Sequence, residues 1–376
     1  MTSPNEVGEN ELNYNLITGK PDSADRVLEN YKKYSYKRIG FFVISIVSLV
    51  IIALFSLTIG AADMSISQAI SAILGKASTA SLNVIVWNIR LPRILSAIVA
   101  GAGLAVAGAS MQSILRNPLG SPYTLGISHA AAFGAAFSVI VLGAGTIQSS
   151  TADSVILNNP YIVTISAFGW SLISTFIILL LARLKKASPA TMILAGVALG
   201  SLFTAGYTAM QYFASETELA SIVFWTFGDI GRATWRDFYI MLAAVVPASA
   251  YYMRKSWDYE VLDSGDESAK GLGLDVEKLR LYGMLISCLV TALIVSFVGI
   301  IGFVGLVVPH IIRRLIGGNE RFLIPSSCVV GALLLLVADT AARTVIAPIV
   351  LPVGILTSFL GAPLFIYLVV RGREYW

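Results

Sequence analysis

The run Leu281–Ile312 reads LYGMLISCLVTALIVSFVGIIGFVGLVVPHII, 32 residues with no Asp, Glu, Lys or Arg. As one helix it would measure about 48 Å at 1.5 Å per residue, well beyond the ~30 Å hydrocarbon core of a bilayer. Basic residues flank both ends, Lys278 and Arg280 before it and Arg313 and Arg314 after it. Basic flanks on the same side of a membrane require the chain to turn back inside the run. Gly299, Gly302 and Gly305 supply the place. Two spans result, the second short and carrying Pro309.

The rest of the chain has the same character. Of its 376 residues 56% are hydrophobic and only 13% charged, with a mean hydropathy of +0.78. Ordinary soluble domains carry about 25% charged residues. Eight further apolar runs cover Ile39–Ile59, Ile94–Leu115, Tyr123–Leu142, Tyr161–Ala182, Ala190–Phe213, Phe238–Met253, Phe322–Ala341 and Val353–Val370. The expected fold is an all-α polytopic membrane protein with ten transmembrane helices per subunit and both termini cytoplasmic. Residues 1–38 read as a polar cytoplasmic tail, disordered at first and closing on the basic anchor Lys32, Lys33, Lys37 and Arg38. They lack the apolar core of a secretory signal. Residues 39–373 form the membrane domain.

Orientation follows from the charges. Only Lys76, Arg90, Arg93, Arg232, Arg236 and Arg343 of the 26 Lys and Arg fall on the outer side, leaving 20 inside. Trp87, Trp225 and Trp235 sit at outer boundaries, as an aromatic belt does. A net charge of +4 is therefore explained by topology and calls for no nucleic acid. The environment is the lipid bilayer of the cell membrane. This orientation puts the polar island Trp257–Arg280, WDYEVLDSGDESAKGLGLDVEKLR, in the cytoplasm. Two short helical pieces are expected there, Asp263–Lys270 stopped by Gly271 and a second capped by Asp275. It reads either as a solvated loop or as a docking element for a partner.

Within the spans Asp339 is the one Asp, Glu, Lys or Arg, and Arg343 one turn on suits a local ion pair. The lack of a mid-depth chain of ionisable groups argues against an ion-coupled carrier. His129 and His310 read as core residues and Cys288 and Cys328 as packing, with no metal site. Gly196 and Gly200 form a G-x-x-x-G, a packing signal first and a smooth pore wall second; with Thr204 they are the pore-lining candidates. Gly19-Lys20 is not a phosphate loop, and H-E-x-x-H and G-x-S-x-G are absent. The chain is expected to be no enzyme and to bind no cofactor. Uphill transport would need a motor on another chain.

The segment RLPRILSAIVAGAGLAVAGASMQSILRNPLGSPYTLGIS, Arg90–Ser128, resembles permease subunits of ATP-binding cassette importers for iron–siderophore complexes, haem and vitamin B12. LAGVALG (Leu194–Gly200), IGFVGLVVPHIIRRLIG (Ile301–Gly317) and LPVGILTSFLGAPLFIYL (Leu351–Leu368) agree, so the resemblance runs from about Trp87 to Arg373. It implies ten spans, a second permease subunit in a homodimer, two cytoplasmic ATPases holding ATP and Mg, and an extracytoplasmic solute-binding protein. By the same resemblance Arg90, Arg93 and Arg343 would receive acidic residues of the binding protein; snorkelling boundary arginines are the alternative. The inner gate would be Asn117 with Leu119, and Ser188, Pro189, Ala190 and Thr191, where Pro189 and Ala190 depart from a hydroxyl-rich gate. ATPase coupling would fall to Ser264, Gly265, Asp266, Glu267, Ser268, Ala269, Lys270, Gly271, Leu272, Gly273 and Leu274. The expected function is import of an iron(III)–siderophore-type chelate, with vitamin B12 or haem as alternatives. An ion-coupled secondary transporter or channel is the alternative of another class.

Overall fold

The computed structural model describes residues 21–60, 64–76, 79–144, 160–184, 188–347 and 349–371, and their regular elements are helical. In chain order these are α1 (Pro21–Thr58), α2 (Ile66–Ile73), α3 (Ala80–Leu115, with a π-helical stretch at Ile85–Arg90), α4 (Ile127–Ile140) and α5 (Pro160–Leu184). Then come α6 (Pro189–Phe213), α7 (Glu216–Thr226), α8 (Trp235–Arg254), α9 (Ser256–Asp263) and α10 (Asp266–Gly271). The last four are α11 (Val276–Val298), α12 (Val304–Ile316), α13 (Glu320–Thr344) and α14 (Val353–Arg371). Helices α1, α3, α5, α6, α11 and α13 are long and apolar enough to cross a membrane, and α4 and α14 are shorter apolar helices.

The long apolar run breaks at its glycines. Helix α11 ends where Gly299 takes φ 76°, and α12 starts after Phe303, itself left-handed at φ 67°. The turn is pinned from two sides. Asp229 N donates to Val298 O at 2.8 Å, and Gly354 N donates to Gly228 O at 3.2 Å. A Cβ on Gly299 would press on the Trp225 carbonyl, and one on Gly354 on the carbonyls of Phe227 and Ile300. Three backbones converge where only glycine fits.

Helix α3 is the centre of the bundle. It is buried on nearly every side and packs against α8, α11, α12 and α13. Lipid is as apolar as leucine, so helices associate in it by close packing rather than by escape from water. Here a Cβ on Gly108 would overlap the Gly305 carbonyl, and one on Gly101 the Gly331 carbonyl. Beside this core, α4, α5 and α6 form a second layer. Phe133 meets Trp170 edge-on at 4.7 Å between ring centroids, and Phe203 closes the cluster.

Several boundaries differ from those expected. Residues 21–38, the second half of the expected polar tail, are helical and run on into the first apolar run as α1, and Arg38 is tied to the domain: its Nε donates to Ile316 O at 3.0 Å and its guanidinium lies over Phe322. The segment after α6, outside the expected apolar runs, forms the helix α7, started by the reciprocal N-terminal cap of Ser215 and Glu218. The island holds two short helices, α9 and α10, before Asp275 caps α11. Its first helix ends at Asp263, where one was expected to begin. The first twenty residues, Asp153, Asn158, Lys185, Lys186 and Arg373 lie outside the described residues.

Gly108→Val should destabilise the protein by about 2 kcal/mol or more, since neither backbone at the contact has room to yield. Gly169→Val, whose Cβ would meet nothing within 4 Å, should stay within about 0.5 kcal/mol of wild type. Thermal unfolding of the detergent-purified variants measures both.

Candidate functional site

The polar island is bolted to the bundle. The Arg280 guanidinium grips Asp266 through two hydrogen bonds of 2.6 and 2.7 Å, and its Nε donates to Ile114 O at 3.1 Å. Arg116 adds a longer contact to Asp266 at 3.8 Å. One carboxylate thus links α10, α11 and the end of α3. Hydrogen bonding from Arg280 holds the Asp266 carboxyl below the usual carboxylate range. Glu260 of α9 reaches the start of α13, where one oxygen accepts from Glu320 N at 2.7 Å and the other from Asn319 Nδ2 at 3.1 Å. A carboxylate in that position complements the helix N-terminus. Trp257 lies under the Arg321 guanidinium, 4.3 Å from ring centroid to Cζ.

The remaining coupling candidates divide by direction. Ala269 is buried, whereas Ser264, Glu267, Ser268, Lys270, Gly271 and Gly273 are exposed and Leu272 is 74% exposed. Gly265 and Gly273 sit at positive φ, in the turns that bracket α10. Leu274 is half-buried beside them. The result is a firmly seated base with an apolar tip held out from it.

Behind the island a second polar cluster joins the adjoining ends of three helices. Arg313 donates to Glu320 at 2.9 Å, to Ser113 at 3.1 Å and to Gln112 at 3.2 Å, while Ser113 also donates to Glu320 at 2.7 Å. Gln112 Nε2 closes the cluster on Leu306 O at 3.1 Å. Sequence reasoning missed these residues; the one available signal was Gln112 and Ser113 within an otherwise apolar and small-residue run.

At the other end of the bundle Arg90, Arg93 and Arg343 turn inward. Arg93 makes a forked contact to Asp339, with distances of 2.8, 3.0 and 3.1 Å, and lies 3.6 Å from Asp229. Arg343 approaches the same carboxylate at 3.3 Å and donates to Ser56 and to Ile59 O. Arg90 is buried and donates to Leu57 O. The expected Asp339–Arg343 pair exists, but Arg93 is the stronger partner of a carboxylate with no exposed side-chain surface.

The gate candidates lie at helix ends. Asn117 follows α3, and its side chain accepts from Leu119 N at 2.8 Å, leaving Leu119 44% exposed. Ser188 precedes α6, its carbonyl accepting from Met192 N, and Pro189 opens the helix as its first residue, with Ala190 and Thr191 in the same turn. Gly196 and Gly200 are buried. Their missing side chains admit Thr124, Leu125, Gly126 and His129, so they serve contact with the start of α4 and form no open wall. Thr204 lies on the neighbouring stripe with Val197, Ser201 and Thr208, all exposed. Among the described residues no cluster of three or more His, Cys, Asp or Glu could hold a metal ion.

A model of the FecCD transport family matches residues 48–371. The chain belongs to the FecCD transport family. It is thus a multi-pass cell-membrane protein, the permease subunit of an ABC importer, not itself an enzyme, and its ATPase is a partner subunit. The permease is 53% identical to a Methanocaldococcus jannaschii protein named as an ABC transporter permease, over 91% of this chain and 97% of that one. It is 38% identical to the hemin transport system permease of Yersinia pestis, over 89% and 96%. A solved structure described as an inward-facing ABC transporter of metal-chelate type superposes with a TM-score of 0.77 at 30% identity, covering 88% of this chain and 99% of that one.

Two expectations follow for the permease. Asp339→Leu strands two guanidinium groups and should cost about 3 kcal/mol in unfolding experiments, part of which returns in the double variant with Arg93→Met. Asp266→Asn should lower the unfolding temperature at pH 7. Because the folded carboxyl titrates below its unfolded value, its contribution is present above about pH 4 and is lost in stronger acid. The wild type and variant should therefore converge as pH falls toward 2.

Proposed function

We propose that this permease imports an iron(III)–siderophore-type metal chelate. Ten membrane spans, residues 39–373 with both termini cytoplasmic, would form each half of a homodimer. Residues 257–280 would couple it to two ATPases that hold ATP and Mg, and a solute-binding protein would deliver the chelate outside. The observation that carries coupling is the island's build: Leu272 projects from a base tied by Asp266 and Glu260 to α3, α11 and α13. An element seated this firmly transmits displacement to the helices it grips. Likeness to the metal-chelate transporter supports the substrate class.

At the outer face, a binding protein reaching Arg93 or Arg343 would compete with Asp339 for the same guanidinium groups, and Arg90 would have to leave the Leu57 carbonyl. The solute path would follow the α6 stripe of Val197, Ser201, Thr204 and Thr208, uncharged and lined by small or hydroxyl side chains. Asn117, Leu119 and Ser188–Thr191 would close it on the inside. The Yersinia relative's name favours haem as the second reading.

Reconstitution with the cognate ATPase and binding protein tests the proposal. ATP-dependent uptake of a ferric siderophore is expected, in preference to haem. Leu272→Asp should reduce ATPase capture and uptake about tenfold, the effect of losing an apolar anchor at an interface, with the unfolding temperature unchanged. Uptake driven by an ion gradient without the ATPase would overturn it.

A further inference from the structure

Helices α5 and α11 pack side by side, and a groove of about 300 Å³ opens between the end of α5 and the start of α11, the ends next to the polar island. Phe176, Leu179 and Leu180 line it from α5, and Leu281, Tyr282 and Leu285 from α11. Arg183 and Lys278 complete the two stripes at the cytoplasmic mouth. Each helix thus contributes positions i, i+3, i+4 and i+7, the spacing of one face, with the cation at the same end. The walls are open to the side: Phe176 is 66% exposed, Tyr282 57% and Leu180 46%. Among the described residues Lys278 carries one counter-charge, Asp275 at 2.9 Å, and no acidic residue lines the groove itself.

We propose that this groove binds an anionic glycerophospholipid of the cytoplasmic leaflet. Its phosphate would lie between Arg183 and Lys278, and one acyl chain would run along the apolar stripe. The charge pattern selects this occupant. Two cations at headgroup depth with hydrocarbon walls beyond them match an amphiphile with a negative head, and basic pockets between helices on this side of a membrane suit anionic headgroups. An apolar helix from a second copy would cover the walls and leave Arg183 facing a dry interface, a costly arrangement. The lipid would fasten α5 to the helix that leads directly out of the coupling segment. The proposal stands independently of the transported solute.

Native mass spectrometry of the intact detergent-purified permease, titrated with phosphatidylglycerol or phosphatidylcholine, tests it. A single tightly retained phosphatidylglycerol per chain is expected, with phosphatidylcholine stripped first. Arg183→Gln with Lys278→Gln should weaken phosphatidylglycerol retention about tenfold or more. Lys37→Gln with Arg254→Gln removes the same charge from exposed cytoplasmic positions and should leave retention unchanged. Equal retention of the two lipids, undiminished binding in the groove variant, or equal loss in both double variants would each overturn the proposal. So would ready formation of disulfide-linked dimers by Leu180→Cys, which would put a second copy on the groove.

Discussion

The contact of α3 with its neighbours through bare backbone, Gly108 on Gly305 and Gly101 on Gly331, is the constraint on which the rest of the structure depends. Helices in lipid gain little from hiding apolar side chains, so the closeness of approach decides which pairs hold. Glycine at these crossings lets α12 and α13 settle against α3 at backbone distance. Once there, α3 is enclosed, and both of its ends are placed with little freedom.

Each end of α3 then meets a charge cluster. Its first half brings Arg93 to Asp339, and its C-terminal end brings Gln112 and Ser113 to Arg313 and Glu320, with the Ile114 carbonyl on Arg280. Charges are expensive at membrane depth unless paired, and both clusters pair them. One packed helix therefore runs between the Arg93–Asp339 cluster and the seat of the polar island.

The division between apolar wall and polar ends also explains the surroundings of the site candidates. The exposed residues of α10 and its flanking turns are held out on a seated base. Arg93 and Arg343 turn in toward Asp339, because an unpaired carboxylate inside the bundle would be worse than two occupied guanidinium groups. Gly196 and Gly200 belong to packing for the reason glycines recur in α3, whereas Thr204 one stripe away remains exposed.

The break at Gly299, the cap at Asp275 and the helical character of the long runs were all legible in the residues, because each depends on local geometry: chain length against bilayer thickness, backbone freedom, and one side chain within reach of its own helix. The motifs from Arg90 to Leu368 likewise pointed to the family. Tertiary structure alone decided that Arg93 pairs with Asp339, 246 positions away, that Glu260 caps α13, and that Arg183 and Lys278 share a groove. Such contacts depend on which helices are neighbours, and runs of similar apolar composition do not encode that order in any short stretch. It emerges only when small residues on separate helices find one another.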